Sequence, residues 1–188
     1  MSDLATALDG ASFDGLVKVE ELHAQGMITL RGDFGDPGFV TAVTGVAEVS
    51  MPGQRGAIVD GRRGLLWMSP DELLLLCTYA EAPILAAKLD AALAGQHGLV
   101  ANVSDARACF TLNGAYTREV LAKLAPVDMS RDSFGPGEVR RTRLAQVAAA
   151  FWLTSDDGAQ IVCFRSVAEY VFNLLKAASA PGSEVDFL

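Results

Sequence analysis

The sequence predicts an α+β protein made of two tandem β-α-β-β-α units of the split βαβ, ferredoxin-like kind. Three observations carry this reading. Short apolar runs alternate with segments of helical periodicity. The same order of elements occurs twice along the chain. Short stretches of the two halves also answer each other in sequence. Thr29-Leu30-Arg31-Gly32 answers Thr111-Leu112-Asn113-Gly114, and Trp67-Met68-Ser69-Pro70-Asp71 answers Trp152-Leu153-Thr154-Ser155-Asp156. Each tryptophan leads to a cysteine, Cys77 or Cys163, and each cysteine to a helix rich in Ala and Leu. Ordered recurrence of this kind marks an internal duplication. It places the two tryptophans at equivalent core or inter-unit positions. A β-α-β-β-α unit has helices on one sheet face only. Two such units are therefore expected to bury their bare faces against each other, or to lend strands to a shared sheet.

Residues 1–26 read as an irregular lead-in with Gly10 and Gly15. The first unit spans 27–98. It opens with a strand at Met27–Gly32, and Asp36-Pro37 supplies an N-cap followed by Pro at the first helical position. That helix is expected to run to Thr44 and stop at Gly45. Gly53–Gly64 reads as a loop with a short strand at Ala57–Val59. Leu65–Met68 and Leu73–Cys77 form a hairpin around Ser69-Pro70-Asp71-Glu72. Glu81–Gln96 is helical, with Ile84, Leu85, Leu89, Ala92 and Leu93 at helical spacing. The second unit spans 99–180. A strand at Leu99–Val103 comes first, then a strand at Ala108–Leu112, a helix at Tyr116–Leu124 and a loop at Ser133–Gly137. Strands follow at Val147–Leu153 and Gln160–Phe164. Ser166-Val167-Ala168-Glu169 reads as a capping box for a last helix running to Ala178. Residues 181–188 are a tail, and the whole is expected to form one compact domain.

Composition narrows the function. The chain has 188 residues, 51% hydrophobic and 20% charged, with 15 Lys+Arg against 23 Asp+Glu for a net charge of -8. Such a chain is a poor non-specific ligand for nucleic acid or anionic membrane. The mean hydropathy is +0.28, yet no apolar run approaches the ~20 residues of a membrane span. The shortage of charge implies that part of the surface is covered by another protein chain. Three cysteines, Cys77, Cys109 and Cys163, show no metal-like or disulfide-framework spacing. No signal-peptide pattern opens the chain, so a cytoplasmic location is expected.

Few residues could carry chemistry. His23 and His97 have no Cys, His or Asp at metal-ligand spacing, and the cysteines fall in apolar strands, where a thiol packs as a small hydrophobe. Ser104-Asp105-Ala106-Arg107 reads as a link between strands. Gly53-Gln54-Arg55-Gly56 and Gly61-Arg62-Arg63-Gly64 could hold an anion. They lack the Lys and Ser/Thr of a nucleotide loop. A flexible, arginine-bearing surface loop or a partner contact through Arg55, Arg62 and Arg63 is the favoured reading, and a small enzyme acting on a phosphorylated substrate is the other. Arg140-Arg141-Thr142-Arg143 is the densest basic run. On a strand Arg141 and Arg143 share a face, where they could meet a partner's carboxylates or guard a solvated edge. No catalytic, cofactor-binding or metal-ligating residue is assigned. The candidate partner contacts are Arg55, Arg62, Arg63, Arg141 and Arg143.

Several stretches together resemble the gamma subunit of heterotetrameric sarcosine oxidase. They are Gly26–Asp33, Trp67–Leu75, Val103-Ser104-Asp105-Ala106-Arg107-Ala108, Arg141-Thr142-Arg143-Leu144 and Arg165–Tyr170, in the family's order over about residues 20–176. The resemblance implies a non-catalytic subunit, with alpha and beta subunits as partners, in an assembly that oxidatively demethylates sarcosine to glycine. FAD, FMN, NAD and tetrahydrofolate are then expected on the partner subunits and none in this chain. A homodimer of the isolated chain stays open. The stretch from Ser104 through Leu175, with Leu124-Ala125-Pro126-Val127-Asp128, is also distantly similar to the folate-binding domain of glycine-cleavage aminomethyltransferases. That family uses a carboxylate on the strand pair after its loop. Leu144–Phe151, the matching stretch here, contains no acid, and methyl groups cannot steer a proton. A free-standing folate-binding protein of that type is the alternative reading.

Overall fold

The computed structural model describes residues 5–186. The elements are β1 (Ser12–Asp14), β2 (Lys18–Glu21), β3 (Gln25–Arg31), α1 (Pro37–Ala47), β4 (Ala57–Asp60), β5 (Arg63–Ser69), β6 (Glu72–Thr78), α2 (Ala82–Ala92), β7 (Leu99–Asn102), β8 (Arg107–Asn113), α3 (Thr117–Leu124), β9 (Val139–Leu144), β10 (Val147–Ser155), β11 (Gly158–Phe164) and α4 (Ala168–Ala178). They form two compact units. One is Gln25–Ser104; the other joins the segment ending at Ala24 to the segment from Asp105 onward.

The Gln25–Ser104 unit has a five-stranded antiparallel sheet in the order β4-β5-β6-β3-β7. Ile28 pairs with Leu75 and Leu30 with Leu73, so the period of two puts all four on one face. Phe39, Val43 and Ala47 lie one helical turn apart on α1 and pack there, with Leu85 and Leu89 of α2. Asp36 caps α1 by accepting from the Gly38 N–H at 2.8 Å, and Pro37 stands where no intrahelical N–H is needed. The helix continues past Gly45 and ends at Glu48, whose φ is 58°. A left-handed terminator is usually glycine; here Glu48 takes that role. A Cβ on Gly32 would lie 2.2 Å from the Phe39 ring, so only glycine lets that ring close over the end of β3.

The other unit has a six-stranded sheet in the order β1-β2-β8-β11-β10-β9. Its core sets Phe110, Leu112, Phe151, Leu153 and Ile161 against Val120 and Leu121 of α3 and Val171 and Leu175 of α4. Phe134 meets Phe151 edge-on with ring centroids 5.7 Å apart. In each sheet the face turned from the helices is also buried. It carries Met27, Leu66, Leu74 and Leu76 in one unit and Cys109, Ala150, Trp152 and Val162 in the other.

The duplication is visible bond by bond. Gly32 donates its N–H to the Asp71 carbonyl at 3.1 Å, and Gly114 donates to Asp157 at 2.8 Å. Each hairpin is irregular at the same place, between Trp67 and Ser69 and between Leu153 and Ser155. Matching these irregularities corrects one expectation. Trp67 pairs with Leu73, and Leu153 with Ala159, so Leu153, not Trp152, answers Trp67. One residue of offset reverses the face of a strand. Trp67 is half-buried on the helix side of its sheet, while Trp152 is buried on the other side.

The boundaries also differ from the sequence reading. The lead-in is not irregular: it holds β1 and β2, and β2 pairs with β8. β7, expected to open the second unit, pairs with β3 in the first sheet. The strand that opens each half thus completes the sheet formed by the other half. The capping box expected at Ser166–Glu169 is absent, since α4 has no side-chain cap at Val167. A reciprocal pair occurs instead at the matching site before α2, where Glu81 accepts from the Thr78 hydroxyl at 2.6 Å and from its N–H at 3.4 Å.

Candidate partner interface

The candidate arginines fall beside one edge strand in each unit. β4 ends one sheet and β9 ends the other, at matching places in the strand order. Arg55 precedes β4 with φ 60° in a turn closed by Gly56 N–H to Gly53 O at 2.8 Å. Arg62 sits in the two-residue turn between β4 and β5, where Gly61 supplies the positive φ of 58°. Both side chains are exposed. Neither makes an ion pair among the described residues. Val59, 47% exposed, lies between them on β4.

Arg63 is committed inside its own unit. Its guanidinium meets Glu48 at 2.8 Å, Glu81 at 3.3 Å, and the Val46 and Ala47 carbonyls at 3.3 and 3.4 Å. It therefore satisfies the open carbonyl end of α1, where a cation is favoured, and ties β5 to the approach to α2.

Arg141 and Arg143 alternate outward along β9, opposite Ala150 and Ala148 of β10, and both are exposed. Arg140 points the other way. It lies 4.5 Å over the Phe134 ring and donates to Ser133 O at 2.9 Å. Leu144 and Val147 close the β9–β10 hairpin around a two-residue turn at Ala145-Gln146.

A cleft of about 530 Å³ opens in the Gln25–Ser104 unit between Arg31, Asp33, Pro70, Asp71, His97 and Leu99. Arg31 is bridged there to Asp71 at 3.2 Å and to Glu72 at 2.9 Å. His97 lines the same cleft, beside Gly98 and Leu99. Ser104 has a structural role: its hydroxyl donates to Asn102 Oδ1 at 2.6 Å and accepts from the Met27 N–H at 3.0 Å. Among the described residues no group of three or more His, Cys, Asp or Glu could hold a metal ion. None of their helices is long and apolar enough to cross a membrane.

Burial pushes the Cys109 and Cys163 thiols up to about 12 and Cys77 to about 11. Nearby charges modify this: Arg107 pulls Cys163 down, and Glu81 adds to the rise at Cys77. At pH 8 a disulfide reagent is expected to label the native chain about 100-fold more slowly than the urea-unfolded chain. Above pH 9 the unfolded state releases thiol protons that the native state keeps until about 12. Stability is therefore expected to fall as pH rises through that window. Rapid stoichiometric labelling of the native chain would contradict the burial.

Sequence reasoning missed four buried ionic groups: Glu72, already met as a partner of Arg31, and Arg118, Glu119 and Glu21. Arg118 on α3 donates to the Met129 and Phe134 carbonyls, each at 2.8 Å, and so braces the loop from Asp128 to Glu138. Asp156 lies 3.5 Å from Arg118 and 2.8 Å from Arg131. Glu119 takes Lys123 at 2.9 Å and the N–H groups of Val185 and Asp186 at 2.8 and 3.0 Å. The Lys123 contact is the largest cause holding its carboxyl below the usual range. Glu21 accepts from the Thr6 hydroxyl at 2.7 Å and from the N–H groups of Ala7, Leu8 and Gly10. The one available signal was position, since Arg118 and Glu119 precede the apolar pair Val120-Leu121 within a helix of only eight residues.

The fold belongs to a known class. The aminomethyltransferase T of the Bartonella henselae glycine cleavage system superposes on 86% of this chain and 45% of its own, with a TM-score of 0.62 and 15% identity. The protein is thus an α+β body with the fold of part of an aminomethyltransferase. Residues 31–181 match the sarcosine oxidase, gamma subunit family. The gamma subunit of sarcosine oxidase from Corynebacterium sp. (strain P-1) is 30% identical over 184 residues, 96% of this chain and 89% of that one. A chain of the heterotetrameric sarcosine oxidase from Corynebacterium sp. U-96 is 27% identical. It covers 89% of this chain and 87% of that chain, with a TM-score of 0.81. The chain belongs to the sarcosine oxidase gamma subunit family.

Proposed function

We propose that this chain is the non-catalytic gamma subunit of a heterotetrameric sarcosine oxidase, joined to alpha and beta subunits that carry out oxidative demethylation of sarcosine to glycine. The observation that carries this is the match, over nearly the whole chain, to a chain of such a heterotetramer. FAD, FMN, NAD and tetrahydrofolate are assigned to the partner subunits. The acid-free hairpin from Leu144 to Phe151 supports this for folate. Arg55, Arg62, Arg141 and Arg143 are the proposed partner contacts, and Arg63 supports them by fixing α1 against β5. The assembly works in the cytoplasm, in keeping with three free cysteines.

Co-expression with the alpha and beta subunits tests the reading. The chain is expected to co-purify in stoichiometric amount and to oxidise no sarcosine alone. Joint reversal of Arg62 and Arg143 to Glu should weaken assembly about 10-fold or more, most at low salt. Elution of the chain by itself at micromolar concentration, beside a fully active complex lacking it, would refute the proposal.

A further inference from the structure

β4 stands at one edge of its sheet, with β5 as its one neighbour. The parity of the strand is fixed at both ends. Trp67 of β5 donates its N–H to the Gly56 carbonyl at 2.9 Å. At the other end the turn at Gly61-Arg62 closes on Asp60 and Arg63. A two-residue hairpin turn closes on a pair that exchanges both backbone hydrogen bonds. Gly56, Ile58 and Asp60 therefore face β5 with their peptide groups, and those of Ala57 and Val59 face outward. No hydrogen bond reaches these outward groups among the described residues. The side chains of Ala57 and Val59 turn from the helices, because Ile58, of opposite parity, packs against the helix-side core. Ala57 is buried there, whereas Val59 is 47% exposed. Arg55 precedes this open edge and Arg62 follows it. Both are exposed, and neither makes a hydrogen bond or ion pair among the described residues. Arg63 has found Glu48 and Glu81 within its own unit; Arg55 and Arg62 have found no carboxylate, on a chain whose net charge is -8.

We infer that β4 is a docking edge: an extended segment of a partner subunit, with Asp or Glu at each end and an apolar residue between them, adds to it as a further strand. Main-chain bonds to Ala57 and Val59 give such a strand its affinity, and side chains give it specificity. The apolar residue packs beside Val59. The terminal carboxylates meet Arg55 and Arg62 in charge-assisted hydrogen bonds. Asp60, exposed on the helix side of β4, repels an acid placed mid-segment on that side and so keeps the acids to the ends. A second copy of this chain fits poorly. Antiparallel pairing of β4 with itself must set outward residues against outward residues. Pairing Ala57 with Val59, or Val59 with Val59, brings Arg62 of one copy within one residue of Arg55 of the other. Like charges so placed are destabilising. The inference rests on the gamma subunit reading and specifies how the partner is held.

Hydrogen exchange of residues 57–60 in the free chain and in the complex with alpha and beta subunits tests it. The Ala57 and Val59 amides are expected to exchange about 10-fold or more slowly in the complex. Val59→Pro removes an outward donor without breaking a β4–β5 bond, and Arg55→Glu with Arg62→Glu reverses both charges. Each variant should weaken assembly about 10-fold or more while the circular dichroism of the free chain stays unchanged. The loss in the charge-reversed variant should be greatest at low salt. Should Val59→Pro fail to fold, the charge reversal and the exchange data decide. If the complex assembles with the Ala57 and Val59 amides exchanging as in the free chain, the arginines only guard a solvated edge. The inference then falls and the gamma subunit reading stands. A harmless double reversal overturns the acidic segment in the same way. Protection of the two amides in the free chain that grows with its concentration would instead give the edge to a second copy. If the wild-type chain does not assemble at all, inference and reading fall together.

Discussion

Truncation of Phe151 to alanine is expected to destabilise the chain by roughly 3–5 kcal/mol. The ring is wholly buried at the centre of β10, and it packs edge-on against Phe134. Its removal takes away burial, leaves a cavity between sheet and helices, and deprives the loop carrying Phe134 of its anchor. A chain of this length shifts by roughly 2–4 °C per kcal/mol. Thermal or urea unfolding should therefore show a drop of roughly 6–20 °C or the matching fall in midpoint. Val59→Ala, at an exposed position, should stay within about 0.5 kcal/mol. A Phe151→Ala loss below 1 kcal/mol would mean that this core is not packed as described.

Arg118→Met should cost about 2–5 kcal/mol, because the Met129 and Phe134 carbonyls would lose their donor while still buried. Methionine keeps much of the volume, so the loss reports the hydrogen bonds rather than a cavity. The local effect is larger than the global one. The loop from Asp128 to Glu138 is braced by Arg118 on one side and Arg140 on the other, and Arg131 lies exposed within it. Trypsin should cut after Arg131 about 10-fold or more faster in the variant than in the wild type. Equal cutting rates would show that Arg118 does not hold the loop.

The sequence made the sheets legible because their residues obey one simple rule. Ile28, Leu30, Leu73 and Leu75 alternate as a half-buried strand pair must, and Asp36-Pro37 states the start of α1 in local chemistry alone. What escaped detection is non-local. β2 and β7 are four residues long, and nothing in so short a run says which sheet it will join; the choice is made by strands about 70 to 95 residues away. Trp67 and Trp152 were paired by residue identity, whereas the equivalence lies in hairpin register, which a single offset reverses. Helix α1 passed Gly45 because the apolar face continues to Ala47, and packing there outweighs one glycine in a helix. At the candidate interface, chain position alone correctly set Arg141 and Arg143 on one strand face. It could not separate Arg62, exposed in a turn, from Arg63, half-buried and bonded to helix carbonyls one residue later. The burial of Arg118, Glu119 and Glu21 escaped because many of their partners are main-chain groups, which leave no mark in a sequence.

The crossed use of β2 and β7 has a consequence for how such a molecule can exist at all. Neither half encodes everything its own architecture requires, so each is hostage to the other. A fragment ending before Leu99 would carry a strand with no neighbour to receive it and would lack one it needs. A single copy of either half could complete its sheet only by trading strands with a twin, and one polypeptide that holds both keeps that trade within itself.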